Sequence, residues 1–148
     1  MNRIDFKLQT TEGKELQAYR WEEPTVKKRA VIQISHGMVE HSLRYEPFIT
    51  FLTANGFIVY ANDHRGHGKS ILEEKGYFAK KNGFEKVVED ITLLIDQIKG
   101  ENPNLPLFLF GHSMGSLLVR RLIQTYDKDL AGVILSGTAG NPKILGKI

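Results

Sequence analysis

Short runs of apolar residues alternate along this chain with longer segments of helical periodicity. Two segments come first, Arg3 to Leu8 and Glu15 to Trp21, and the turn residues between them predict a pair of strands. Four later apolar runs are short and nearly continuous, as in strands buried on both faces of a sheet. They are Ala30 to Ser35, Phe57 to Asn62, Leu107 to Phe110 and Gly132 to Leu135.

Three segments between these runs have apolar residues three or four positions apart, which is the spacing of one helix face. The first holds Tyr45, Phe48, Ile49 and Leu52 and stops at Asn55-Gly56. The second stripe runs from Phe84 to Ile98, and the third follows residue 113 and ends near Tyr126. Alternating strands and helices predict an α/β fold, a mostly parallel sheet with flanking helices. We expect residues 1–148 to form a single domain.

Composition excludes several classes of protein. Twenty basic and 17 acidic residues give a net charge of +3, and the basic residues are scattered, so no nucleic-acid partner is expected. The absence of cysteine excludes disulfides and thiolate chemistry. The first residues, MNRIDFKLQ, lack the apolar core of a signal peptide, and no apolar run is long enough to span a membrane. We therefore expect a cytoplasmic protein with no transmembrane segment.

Glycine-containing loops follow three of the predicted parallel strands. They are HGM at 36–38, DHRGHGKS at 63–70 and GHSMG at 111–115. Each alone fits an ordinary sharp turn. In a parallel sheet, however, ligands gather beyond the carboxyl ends of the strands, and all three loops lie there. The sequence therefore predicts a functional site at this edge.

The third loop fits a nucleophilic serine. GHSMG matches the G-x-S-x-G pattern, and a predicted strand runs into it and a predicted helix runs out of it. Glycines on both sides of Ser113 let the strand and helix backbones approach closely around a strained residue. A serine that merely caps the helix is the alternative, but a cap does not require both glycines.

Acyl transfer by such a serine requires two backbone N–H donors for the oxygen that becomes negatively charged. Met114, the residue after the serine, would supply one. Met38 would supply the other, because Gly37 lets the chain after the strand of Ala30 to Ser35 turn back toward Ser113. We therefore predict an oxyanion hole made by the amides of Met38 and Met114.

These blocks resemble a known family. HGMVEHSLRYEPFITFL, NDHRGHGKS and GHSMGS are similar to the corresponding blocks of the α/β-hydrolase superfamily. Within it they resemble the monoacylglycerol lipase and lysophospholipase branch, which is grouped with serine-aminopeptidase-like hydrolases. The resemblance implies Ser113 as nucleophile, Met38 and Met114 as oxyanion hole, and a supporting role for the DHRGHGKS block. It also implies that Glu40, His41 and Arg44 shape the loop beside the serine.

The same resemblance implies that the substrate is a carboxylic ester, such as a monoacylglycerol or lysophospholipid, and nothing in the sequence implies a cofactor. The sequence then departs from the family pattern, in which the acid and the histidine follow the nucleophile along the chain. All five histidines lie before Ser113, and the only carboxylates after it are Asp127 and Asp129. We therefore expect the N-terminal half of a hydrolase core, without its cap and its C-terminal strands.

Such a half should be nearly inactive alone, because losing the histidine of a serine hydrolase costs about 10⁶ in turnover. It should also leave the strand of Gly132 to Leu135 as an unpaired edge. A second chain that carries the remaining half, or a self-associated dimer, would cover this edge. A non-catalytic binding or scaffold module on the same fold is the alternative function.

Three further alternatives concern particular residues. One of the histidines, at positions 36, 41, 64, 67 and 112, would act as a substitute base if its ring reached Ser113. His64 and His67, with His36 and His41, would be metal ligands if they converged, although no H-E-x-x-H pattern is present. Gly68-Lys69-Ser70 ends like a phosphate-binding loop, but Asp63 stands where that pattern needs glycine. We therefore predict neither a metal nor a nucleotide.

Overall fold

The structure is a computed structural model that describes residues 1–126 and 129–140. Asp127 and the NPKILGKI segment at 141–148 lie outside the described residues. The remainder forms six strands, three α-helices and a short 3₁₀ turn at Ser42–Tyr45. The strands are β1 (Asn2–Gln9), β2 (Glu15–Glu22), β3 (Ala30–Ser35), β4 (Phe57–Asn62), β5 (Leu107–His112) and β6 (Gly132–Ser136). The helices are α1 (Glu46–Ala54), α2 (Gly83–Glu101) and α3 (Met114–Leu122).

The six strands form one sheet in the order β1-β2-β4-β3-β5-β6. The strand pairs β1–β2 and β2–β4 are antiparallel. Strands β1 and β2 are joined by a short turn, which antiparallel pairing allows. The pairs β4–β3, β3–β5 and β5–β6 are parallel, and helices cross between them. The predicted mostly parallel α/β sheet is confirmed.

Helices cover both faces of this sheet. One apolar cluster joins α2 and α3 to the side chains of Val31, Ile58 and Leu109. The other joins α1 to their sequence neighbours Ile32 and Val59, which point to the opposite face because side chains alternate along a strand. The central strands β3 and β4 are therefore buried on both sides, as their continuous apolar sequence predicts.

The outer part of the sheet differs from the sequence prediction. Every second residue of β5 is only partly buried, and β6 is the edge strand, with Ile134 and Leu135 exposed at 46% and 39%. The apolar runs predict burial on both faces, which is wrong for β5 and β6, whereas the position of β6 at the edge agrees with the expectation that Gly132 to Leu135 is an edge strand. Their sequences are apolar enough for that, but no described element packs on the outer side of β6. Helix α3 also ends at Leu122, four residues before the predicted end.

None of the helices formed by residues 1–126 and 129–140 is both long and apolar enough to cross a bilayer.

Strand register brings the three glycine-containing loops together. Ser35 at the end of β3 is paired with Gly111 of β5, and Ile34 is paired with Ala61 near the end of β4. His112 is paired with Ser136 at the end of β6. The loops that follow β3, β4 and β5 therefore leave the sheet at the same edge, as the sequence predicts.

Candidate active site

Ser113 lies in a strained turn between β5 and α3. Its backbone has φ 51° and ψ −119°, a conformation that costs a non-glycine residue on the order of 1–3 kcal/mol. The turn is held by the Ser113 N–H, which donates to the Ser136 carbonyl at 2.9 Å, and by the Ser113 carbonyl, which accepts from the Ser116 N–H at 2.9 Å. Ser113 is exposed and its side chain makes no capping hydrogen bond to α3. A capping role therefore does not explain this serine.

The turn requires the two glycines that flank the serine. A Cβ atom on Gly111 would lie 2.6 Å from the Gly115 carbonyl oxygen. A Cβ atom on Gly115 would lie 2.6 Å from the Ser35 carbonyl carbon and 2.7 Å from the His36 carbonyl oxygen. All three distances are too short for a real side chain. The start of α3 therefore packs directly on the end of β3.

The loop after β3 passes beside Ser113. A Cβ atom on Gly37 would lie 3.2 Å from the Ser113 Cβ, which shows how closely the two segments approach. Met38 follows it and is exposed, and Val39 has a positive φ of 59°. Within the described chain, the N–H groups of Met38 and Met114 donate to no protein acceptor. The turn at Ser113 is thus flanked by two segments that each carry an unused backbone donor.

Glu40 holds this loop in place. Its Oε1 accepts hydrogen bonds from the Gly37 N–H at 2.5 Å and from the Tyr45 hydroxyl at 2.5 Å, and its other oxygen pairs with Arg44. Burial raises the pKa of Glu40, but these hydrogen bonds and the Arg44 charge outweigh it and leave the pKa below its ordinary value. The carboxylate therefore stays charged and fixes the N–H direction one residue before Met38.

Asp63, the first residue after β4, fixes the next loop in the same way. One carboxylate oxygen accepts from the Ser42 N–H at 2.8 Å, and the other accepts from the Lys69 N–H at 2.9 Å and the Tyr19 hydroxyl at 3.2 Å. Asp63 is completely buried. It therefore joins the loop after β3, its own loop and strand β2.

Three histidines form a buried cluster below the loops. The ring centroid of His36 lies 4.1 Å from that of His64 and 5.4 Å from that of His67. The His36 Nδ1 bonds the Gly37 carbonyl at 2.7 Å, and its Nε2 accepts from the His64 N–H at 2.9 Å. The His64 Nε2 lies 3.0 Å from the Ser35 hydroxyl, and its buried Nδ1 has no partner within the described residues.

No histidine in the described part of the chain is placed as a base for Ser113. His36, His64 and His67 bond other groups, and the Nδ1 of His112 bonds the Ser136 hydroxyl at 3.1 Å. Over residues 1–126 and 129–140, no histidine ring nitrogen bonds the Ser113 hydroxyl. The substitute-base alternative therefore receives no support from the geometry.

The geometry also gives no support to the alternative of a metal site at these histidines. Both ring nitrogens of His36 are occupied by backbone groups, and His64 is turned toward Ser35. Within the described part of the chain, no group of three or more His, Asp or Glu side chains is arranged so that it could hold a metal ion.

The folded protein should become less stable as the pH decreases, because His36 is buried as the neutral ring. Burial lowers the pKa of His36 to about 4 from 6.5, so between these values the unfolded chain binds the extra proton. The contribution is complete above pH 6.5 and is lost as pH falls toward 4, by about 3 kcal/mol for this residue. Burial also lowers the pKa of His64, which acts in the same direction.

Urea unfolding at a series of pH values from 7 to 4.5 measures this loss. In His36→Gln the decrease should be clearly smaller, whereas the exposed His41→Gln should follow the unmodified protein. Equal slopes in all three proteins would contradict the assignment.

A buried ion pair anchors the loop after β4 to helix α2. The Arg65 side chain is fully buried, donates to Asp90 through Nε at 2.7 Å and Nη2 at 2.9 Å, and donates to Glu12 at 2.6 Å. The hydrogen bonds to Asp90 raise the pKa of Arg65 above its ordinary value. The family resemblance implies a supporting role for Arg65, but nothing in the sequence indicates Asp90 as its partner.

Removing the charge of one member of this ion pair should lower the unfolding free energy considerably. Asp90→Asn leaves a buried guanidinium with only the partly exposed Glu12 as counter-charge, and we expect a loss of about 3 kcal/mol in unfolding free energy. Urea denaturation measures it. The neighbouring Glu89→Gln is the control, because its pair with Lys86 is exposed and is worth less than about 0.5 kcal/mol. Equal losses in the two variants would contradict the role of the pair.

Comparison with known proteins agrees with this arrangement. Residues 26–146 match the family model for serine aminopeptidase, S33. A monoacylglycerol lipase of Mycolicibacterium smegmatis is 33% identical over 137 residues, which cover 84% of this chain and 48% of that protein. The chain thus spans about half the length of this relative, and 37% of human monoglyceride lipase, to which it is 35% identical over 116 residues.

Among solved structures, a thermostable carboxyl esterase from Bacillus coagulans in complex with glycerol superposes with a TM-score of 0.88 at 35% identity. The superposition covers 99% of this chain and 49% of the esterase. The strands of this chain, its loops and more than half of its sequence agree with one family. The chain therefore belongs to the serine aminopeptidase S33 family of α/β-hydrolases.

Proposed function

We propose that this chain carries the nucleophile and the oxyanion hole of a serine hydrolase that cleaves carboxylic esters of the monoacylglycerol or lysophospholipid type. The observation that supports it most is the turn at Ser113. An exposed hydroxyl with no hydrogen-bond partner among the described residues stands on a strained backbone at the start of a helix, beside the loop of Gly37 and Met38. The similarity to lipases and esterases supports the ester as substrate class.

The reaction would proceed in two acyl transfers. The Ser113 Oγ attacks the ester carbonyl carbon while a base removes its proton, and the negative oxygen is held by the N–H groups of Met38 and Met114. The tetrahedral intermediate then expels the alcohol, which takes the proton from the base. Water, activated by the same base, attacks the acyl-serine and releases the carboxylic acid.

The base in this scheme is a histidine from outside these 148 residues. None of the five histidines follows Ser113 in the sequence, and none in the described part bonds its hydroxyl. The relatives are about twice as long, so the base and the acid would come from a further part of the protein or from a second chain. For the isolated chain we propose very low turnover.

Covalent labelling tests the nucleophile directly. A fluorophosphonate is added to the purified chain with imidazole as an external base, and the modified residue is located by peptide mass spectrometry. We expect a single label on Ser113, which forms faster at higher imidazole concentration, and no label at this position in Ser113→Ala. Labelling of another residue at an equal or greater rate would overturn the assignment.

A further inference from the structure

Met38 is the most exposed of the three methionines of this chain. Its exposed fraction is 65%, against 45% for Met1 and 7% for Met114. The sequence has no cysteine, so the methionines hold all of its sulfur, and its only tryptophan, Trp21, is completely buried. Because a sulfur atom is oxidised more readily where solvent reaches it, Met38 is the side chain that a hydroperoxide would modify first.

The loop backbone fixes this exposure. On one side of Met38, the Gly37 N–H donates to the Glu40 carboxylate at 2.5 Å, and the Gly37 carbonyl accepts from the His36 Nδ1 at 2.7 Å. On the other side, Val39 has a positive φ of 59° and is itself exposed. The Met38 side chain borders a cavity of about 420 Å³ at the surface. It therefore stays within reach of small oxidants dissolved in water.

Unused backbone donors lie close to this thioether. Met38 and Met114 border the same cavity, and a Cβ atom on Gly37 would lie 3.2 Å from the Ser113 Cβ. In the described part of the chain, the N–H groups of Met38 and Met114 have no protein acceptor. A thioether sulfur is only a weak acceptor, whereas a sulfoxide carries a polar oxygen. Oxidation of Met38 would thus place a strong acceptor beside free donors.

We propose that Met38 is a site of reversible oxidation by hydroperoxides, and that its sulfoxide oxygen accepts a hydrogen bond from the Met114 N–H and so blocks the oxyanion hole. With hydrogen peroxide, the sulfur lone pair attacks one oxygen and the O–O bond breaks. The departing hydroxide takes the proton of the transferred oxygen and leaves as water. Sulfur loses two electrons, which the peroxide gains. The effect on the oxyanion hole rests on the proposed ester hydrolysis.

NMR of the chain labelled with ¹⁵N-methionine tests the site apart from catalysis. Met1 carries the N-terminal amine, so only Met38 and Met114 give amide signals, and Met38→Leu assigns them. Hydrogen peroxide is added, and peptide mass spectrometry measures the sulfoxide at each methionine. We expect Met38 to be oxidised several-fold faster than Met114, and the Met114 amide proton to shift downfield as Met38 is oxidised. Equal oxidation of both, or an unmoved Met114 signal at full Met38 oxidation, would overturn the proposal.

The rate of fluorophosphonate labelling at Ser113, with imidazole present, measures the consequence. Oxidised protein should label at least tenfold more slowly than untreated protein, since losing one oxyanion donor typically costs about 10²–10³ in rate. Met38→Leu is the matched control: it keeps Met1 and Met114, and its treated and untreated samples should label at the same rate. Methionine sulfoxide reductases with a dithiol, which return the sulfur to a thioether and release water, should restore the rate of the oxidised protein.

The two proposals fail in different ways. If the Met114 amide responds to oxidation of Met38 but Ser113 is not labelled even in untreated protein, the oxidation site remains and the proposed hydrolysis is wrong. If Ser113 is labelled at the same rate before and after full oxidation of Met38, the hydrolysis remains and the proposed blocking is wrong. An equal loss of rate in Met38→Leu, or a loss that the reductases do not reverse, would show damage elsewhere and also overturn it.

Discussion

Ser113→Ala should abolish ester hydrolysis in the protein that contains the completing base, with a loss of about 10⁶ in turnover. The reason is that the variant keeps the N–H groups of Met38 and Met114, the proposed oxyanion hole, but has no Ser113 oxygen to form the acyl intermediate. The measurement is release of p-nitrophenol from p-nitrophenyl butyrate, with the uncatalysed rate in buffer subtracted. The remaining rate should be that of substrate binding and the oxyanion hole alone.

The same substitution should leave the fold intact. The Ser113 hydroxyl makes no hydrogen bond within the described residues, so its removal should change the unfolding free energy by less than about 0.5 kcal/mol. Thr11→Ala is the matched control, because it removes another exposed hydroxyl that makes no hydrogen bond within the described residues, and it should keep full turnover. A Ser113→Ala protein with the turnover of this control would show that another group is the nucleophile.

The central strands are predicted well because the residues that specify each strand are close together in the sequence. Strands β3 and β4 are short apolar runs with ends marked by polar residues and glycine, and their observed bounds equal the predicted ones. The turn at Ser113 is also local, since two glycines and a strand-to-helix transition specify it. The partial exposure of β6 does not follow from its own apolar sequence, because the burial of an edge strand depends on which elements pack on it. Its edge position is expected only from the departure from the family pattern.

The polar network around the site could not be predicted because its partners are distant in sequence. Arg65 and Asp90 are separated by 25 positions, and nothing in either segment indicates the other. Glu40 offers one local signal, its spacing of four from Arg44, which also fits an ordinary exposed helix pair. Its bond to the Gly37 N–H depends on how the loop folds back.

Gly115→Val should prevent the chain from reaching its native structure. The side chain would have to occupy space already taken by the backbone of Ser35 and His36, whose atoms lie 2.6 and 2.7 Å from the Cβ position. A flexible side chain could move away, but the Ser35 carbonyl belongs to β3, in the buried centre of the sheet, and His36 follows it directly. Overpacking a core usually costs about 1–3 kcal/mol, and contact with fixed backbone should exceed that range.

Gly100→Ala is the matched control, because Gly100 is also helical but has no atom within 4 Å of its Cβ position. It should raise the unfolding free energy, by up to about 1 kcal/mol, since alanine favours the helix more than glycine does. Urea denaturation followed by circular dichroism measures both variants. If Gly115→Val were as stable as Gly100→Ala, then α3 would not pack against β3 as described. The position of Ser113 over the sheet edge, on which the proposed chemistry depends, would have to be abandoned with it.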